Sequence, residues 1–236
     1  AVEDDIVECF REGGGVPYER FGRFHDVMAE ESAQTVLSVL FSHILPLVAG
    51  AEEKLEAGIA AMDLGCGRGR ALLMLAERFP ASSFVGYDLS PAAVAFAMSQ
   101  AAERGLENVR FEARDASDPA LAGAYDLVVV FEALHDMPRP VDALRTLRRM
   151  AGGTGAVLVV DEKVEERFTA PGSDLERFNY GWSVLSCLAS GMTGEEPAGT
   201  GANAGHSECW PSSFTSTRNV PSGASNGLVM QVSDLK

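Results

Sequence analysis

Positive charge is scarce in this chain. Its 236 residues carry 19 Lys and Arg against 34 Asp and Glu, a formal net charge of −15. A nucleic-acid partner needs clustered cations that displace the counterions of its phosphates, so DNA or RNA is not expected to bind through this chain. Cysteine is sparse as well. Cys9, Cys66, Cys187 and Cys209 are widely scattered, with neither metal-ligand spacing nor the density of a disulfide framework. No metal is expected, and a reducing cytoplasm is. Long apolar runs are missing too. The most apolar stretch, 36–48, is interrupted by Ser38, Ser42, His43 and Pro46 and is too short to span a bilayer. No secretory leader is read at the start, and no membrane association is expected. Because Ala1 already lies inside a charged, helix-like pattern, the chain is read as a piece of a longer protein.

What is present centres on residues 59–80, IAAMDLGCGRGRALLMLAERFP. A short apolar run ends at Asp63, breaks at Gly65, Gly67 and Gly69, and resumes with Leu72, Leu73, Leu75, Ala76 and Phe79 at helical spacing. Strand, tight loop and helix follow from that change of period. Glycines there let the backbone approach a ligand closely, and the first N–H groups of the helix point at it. A dinucleotide loop would run G-x-G-x-x-G, but counting from Gly65 and Gly67 the third position is Arg70. A phosphate loop would need Gly-Lys-Ser/Thr, which does not follow. The pattern that fits is D-x-G-x-G-x-G, with an acid where a phosphate site would reject one.

On these residues the chain resembles the class I S-adenosylmethionine (SAM)-dependent methyltransferases. The resemblance implies a doubly wound, mostly parallel α/β sheet of the Rossmann-like kind, with SAM as cofactor and Asp63, Gly65, Cys66 and Gly67 around its methionine end. The acid ending the second strand, Asp88 in SFVGYD, is placed to accept both ribose hydroxyls, with Leu89 beside it. The resemblance further implies that Asp115 and Ala116, after a third strand at Val109–Ala113, meet the adenine. Asp118 is read as the cap of a following turn. The run 125–131, YDLVVVF, is a fourth strand buried on both faces; it brings Phe131, Glu132, His135 and Asp136 to the rim. Arg145, Arg148 and Arg149 lie on the solvated face of the next helix, and 156–161 is the fifth strand. Five strands alternating with helices make a parallel sheet with right-handed crossovers.

Outside this core, 1–58 reads as a helical lead-in. Its GGGVPYERF segment is either an aromatic staple or a lid over the cofactor. Leu37, Leu40, Phe41, Ile44, Leu45 and Val48 form a stripe on one long helix, 27–48, which is core or a homodimer face. The lead-in and FNYGWSVLSCLASGM, 178–192, part of a helix expected over 175–192, also resemble a bacterial subgroup in which a winged-helix domain precedes the methyltransferase fold. The methyltransferase domain itself is expected over 59–193. Residues 194–226 are rich in Gly, Ser, Thr, Asn and Pro, so 194–236 is expected to be an irregular, disordered or atypical tail, with 228–232 the one stretch able to form a strand.

Methyl transfer from SAM to a small organic acceptor asks the protein mainly to align a nucleophile. A general base is needed for a phenol, alcohol or amine. His135 is best placed, with Glu132 behind it, although a His capping the turn at 136–138 explains the same residue. Tyr18, Phe131, Tyr180 and Trp182 line an apolar acceptor pocket or merely pack the core. The competing reading of the whole chain is a non-catalytic SAM-binding or dimerisation module of a regulatory protein.

Overall fold

The computed structural model describes residues 2–162 and 169–201, together with the backbone of two later strands, Thr217–Asn219 and Gly227–Gln231. Helices α1 (Glu3–Glu12), α2 (Phe24–Thr35) and α3 (Ala51–Ala57) lead into β1 (Ala60–Leu64). Then follow α4 (Arg70–Arg78), β2 (Ser83–Asp88), α5 (Pro91–Glu103), β3 (Val109–Ala113), β4 (Leu127–Phe131), α6 (Pro140–Ala151) and β5 (Ala156–Glu162). Past the central domain come α7 (Asp174–Leu185), α8 (Cys187–Gly191), β6 (Thr217–Asn219) and β7 (Gly227–Gln231). The sheet runs β3-β2-β1-β4-β5-β7-β6, its first five strands parallel and β7 and β6 antiparallel.

Alternation along the strands sorts the core into two layers. Ala61, Leu127, Val129, Leu158 and Val160 face the side covered by α4 and α5, where Leu72, Leu75, Phe79 and Ala97 are buried. Met62, Val128, Val130, Val157 and Val159 face α6, which contributes Leu144, Leu147 and Met150. Because both faces are covered, the strands read as apolar runs. Chain order reverses between β1 and β4, and at such a switch point the strand ends part to leave a crevice.

Four expectations need correcting. The single helix over 27–48 is broken: after α2 the chain turns through a 3-10 turn at Leu37–Val39, a π turn at Leu40–Ile44 and a second 3-10 turn at Leu45–Leu47. Pro46, which has no N–H to donate, and Ser38 Oγ, which donates to the Gln34 carbonyl at 2.6 Å, both work against a continuous ladder. The stripe it carries is core, since Leu40, Ile44, Leu45 and Val48 are buried with Phe79 and Phe84. The helix over 175–192 breaks at Ser186 (φ −136°, ψ −77°), separating α7, which begins in a Ser173/Glu176 capping box, from α8. Arg149 is half-buried rather than wholly solvated: its guanidinium donates to the carbonyls of Leu121 and Asp118, each at 3.2 Å.

The fourth concerns part of the tail: the stretch 228–232, read as able to form a strand, does fall mostly in β7, but Thr217–Asn219 adds a strand inside the stretch read as irregular. Gly227–Gln231 pairs with β5 in the register Val160 to Val229, and Thr217–Asn219 pairs with it in turn. An apolar strand left at an edge is a template for any β-prone segment, and Leu228, Val229 and Met230 supply one. The remainder of the tail, 202–216, 220–226 and 232–236, lies outside the described residues. Among the described residues no single helix is long and apolar enough to cross a membrane.

Candidate active site at the strand ends

The loop after β1 is shaped by its glycines. Gly65 has φ +84°, and a Cβ there would lie 2.9 Å from the Ala133 Cβ. The amides of Gly65 and Cys66 both donate to the Tyr87 carbonyl, at 2.7 and 3.0 Å, which ties the loop to the end of β2. At Gly67 (φ +52°) a Cβ would meet no protein atom, because that side opens on a pocket. Gly69 is different: a Cβ there would lie 2.5 Å from the Phe111 ring, so it serves helix packing.

Acids stand around this loop. Asp63 is 3% exposed and its Oδ1 has no hydrogen-bond partner. Burial, aided by the charge of Asp88, pushes its carboxyl up to about 8. Asp88 accepts from the Gly67 amide on Oδ2 and from the Ser90 amide on Oδ1, both at 2.8 Å. Burial raises its carboxyl and these two N–H groups pull it back. Asp115 is more open; its Oδ1 accepts from the Ser117 amide at 2.8 Å and its Oδ2 from Arg139 at 3.4 Å. Asp118 Oδ1 accepts from the Ala120 amide at 2.8 Å, as a turn cap does.

The same pocket continues away from the glycine loop. Tyr18, Phe24, His25 and Met28 wall it from the lead-in, and Trp182 from α7. The rings of Tyr18 and Phe24 lie 4.6 Å apart, and burial raises the Tyr18 phenol. Glu132 holds a left-handed backbone (φ +46°), a strained conformation for a residue with a Cβ. Its carboxylate accepts from Thr35 Oγ1 at 2.9 Å, and burial pushes its carboxyl up to about 7. Glu162, also on the wall, is pushed by burial up to about 6.

His135 does not stand free at the rim. It is buried, its Nδ1 bonded to Asp161 and its Nε2 3.2 Å from Asp136 Oδ1, while its own amide donates to Asp161 Oδ2 at 3.2 Å. Burial alone would favour the neutral ring, but Asp161 and Asp136 outweigh it and hold the imidazole well above its usual range. These neighbours favour the charged ring, which weighs against a general-base role for His135. Cys187, the first residue of α8, closes on the same group; His135, Asp136 and Cys187 bring ligand-type atoms within 4.8 Å of one another. This corrects the expectation of no metal-ligand cluster. In sequence, Cys187 lies 51 positions after Asp136, and no spacing rule connects them.

Thirteen of the residues expected at the site share this one pocket: Asp63, Gly65, Cys66, Gly67, Asp88, Leu89, Asp115, Ala116, Phe131, Glu132, His135, Tyr18 and Trp182. Tyr180 does not. It lies on the outer face of α7, 46% exposed, because Trp182 two residues later takes the inward position. Glu31, Glu162 and Cys187 were missed. Glu31 falls within a charged helical pattern and Glu162 one residue past an expected strand end, so neither carries a signal of its own.

A glycine loop at the switch point of a 3-2-1-4-5 parallel sheet, with acids at successive strand ends, defines a nucleoside-type ligand site in a doubly wound α/β protein. A family model described as a methyltransferase domain matches residues 55–202, and the chain belongs to that family. Among curated relatives it is 36% identical over 89 residues to aklanonic acid methyltransferase of Streptomyces sp. (strain C5), covering 37% of this chain and 40% of that one. It is 34% identical over 106 residues to the 2-heptyl-1-hydroxyquinolin-4(1H)-one methyltransferase of Mycobacteroides abscessus, covering 43% and 46%. The matches thus span less than half the length of these relatives. The fold is also that of a SAM-dependent methyltransferase from Aquifex aeolicus, with TM-score 0.51 and 17% identity over 83% of this chain and 93% of that one.

Proposed function

We propose that this chain is the catalytic domain of an enzyme that moves a methyl group from SAM to a small organic acceptor. The observation that carries the reading is Asp63: a buried carboxylate with an unpartnered oxygen beside an open glycine loop. Leaving such a group unmade costs about 1–3 kcal/mol, and more when it is charged, so the site is built for a donor from outside the chain. An ammonium group is the donor whose charge also relieves the repulsion between Asp63 and Asp88. Asp88 retains lone pairs for hydroxyls, Asp115 and the Ala116 amide can receive a base edge, and Leu89 and Phe131 flank it.

Bound SAM supplies a methyl on a sulfonium that departs as a neutral thioether. The chain's own part is to align the acceptor, exclude water and remove a proton. Tyr18 and Trp182 form the apolar walls, and Glu132, with its carboxyl near 7, takes the base role in place of His135. Phe24, His25 and Met28 roof the pocket, which supports a lid role for the lead-in. By their names the curated relatives methylate small molecules, and the net charge of −15 fits that acceptor class better than nucleic acid. The stripe at 36–48 is packed in the core and so is not the homodimer face of this reading. An upstream winged-helix domain and a cytoplasmic setting are; Val7 and Phe10 of α1, 46% and 68% exposed, are a face such a domain would cover. Calorimetric titration with SAM tests the proposal: binding to the wild type that Asp63→Asn weakens supports it, and no binding to folded protein ends it.

A further inference from the structure

The acceptor end of the pocket holds a group that methyl transfer does not require. His135 and Asp136 sit on the turn after β4, Cys187 opens α8, and all three are buried while still lining the pocket. Asp161 takes Nδ1 of His135, which leaves Nε2 facing inward. Asp136 Oδ1 is 3.2 Å from Nε2, yet it has no hydrogen-bond partner and no solvent contact. A buried carboxylate oxygen that lies beside Nε2 without a directed hydrogen bond is a second sign of a missing ligand.

We propose that His135 Nε2, Asp136 Oδ1 and Cys187 Sγ form a three-ligand site for a zinc-type divalent ion. In tetrahedral zinc, N and O ligands at about 2.0–2.2 Å lie roughly 3.3 Å apart, close to the spacing found here. Asp161 on Nδ1 fixes the ring's orientation, as carboxylates do behind metal-bound histidines. A mixed N, O and S set selects zinc or cobalt over magnesium or calcium, whose ligands are oxygens. With the thiolate and Asp136 ionised and the imidazole neutral, the two negative charges match the cation, and loading releases the protons of Nε2 and Sγ. Three protein ligands leave a fourth position, and all three residues line the acceptor pocket. On the methyltransferase reading, which this use of the ion rests on, an acceptor hydroxyl coordinated there becomes acidic and passes its proton to Glu132.

The test is a cobalt titration of the full chain after stripping with a chelator. One equivalent should produce a thiolate-to-cobalt band in the near ultraviolet and the intense visible bands of a four-coordinate ion, both erased by excess Zn²⁺. Cys187→Ser should lose the near-ultraviolet band, and a triple variant with Cys9, Cys66 and Cys209 changed to Ala should keep it. No band in the wild type, or a band that survives Cys187→Ser, overturns the site. Should Cys187→Ser fail to fold, Asp136→Asn is the second variant: Co²⁺ affinity about tenfold or more weaker is expected, and unchanged affinity overturns the proposal. SAM calorimetry on the same stripped protein separates the two claims. SAM binding without a cobalt band sinks the metal site alone; a cobalt band without SAM binding sinks the methyltransferase reading.

Discussion

The two ends of the pocket are built differently. The glycine-loop end comes from consecutive strand ends: Asp63 closes β1, Asp88 closes β2 and Asp115 follows β3, each held by nearby backbone N–H groups or by burial. The acceptor end is assembled from the lead-in, the turn after β4, β5 and the α7–α8 break, and its contacts span large separations, such as Thr35 to Glu132 and His135 to Asp161. One end is a property of the sheet; the other depends on how peripheral elements dock on it. Substitutions at the first should therefore change cofactor affinity with the fold intact, and those at the second should change acceptor use while leaving the cofactor alone.

Gly67→Val should have the largest effect. Its side chain meets no protein atom but fills the ligand's side of the loop and strains a φ of +52°, so SAM affinity should fall by more than about a hundredfold in a folded protein. Wild-type affinity in calorimetry would break the comparison outright. Asp63→Asn comes next, with a loss of roughly ten- to a hundredfold for a charge-assisted contact. The same change removes a buried, raised carboxyl, so the ligand-free variant should melt no lower than the wild type at pH 8. At the other end, Trp182→Ala should raise acceptor KM on the order of tenfold, for lost aromatic packing, with the SAM Kd unmoved. Loss of SAM binding in that variant would show the two ends to be coupled. Tyr180→Ala, at a residue outside the pocket walls, should alter neither constant by more than about twofold.

The same division explains what was legible in the sequence. D-x-G-x-G-x-G, SFVGYD and YDLVVVF each encode an element and its site residue within a few positions, and β2 and β3 fall on the expected residues. The acceptor end has no such local code. His135 was legible as a residue of the rim, but its partners were not: Asp161 lies 26 positions on, and no local pattern links the two. Cys187 looked like one of four scattered thiols until the break at Ser186 turned it inward. In the tail the apolar stretch 228–232 was legible as a strand, whereas Thr217–Asn219, set in a Gly- and Ser-rich stretch, was not.

The central claim is that Asp63 ionises to meet a cationic ligand, and its titration tests this most directly. In the free protein its carboxyl stays protonated up to about 8, whereas an unfolded Asp loses its proton near 3.9. Stability of the ligand-free fold should therefore decline as pH rises between these values, and Asp63→Asn should flatten that decline. A cationic ligand needs the ionised form, so its binding must expel the proton. SAM calorimetry from pH 6 to 8.5, in buffers of different ionisation enthalpy, should show affinity rising with pH towards a plateau above about 8, with nearly one proton released per ligand at pH 6. In Asp63→Asn both the rise and the proton release attributable to this carboxyl should disappear. A pH-independent wild-type affinity, or identical profiles for the two proteins, would contradict the account.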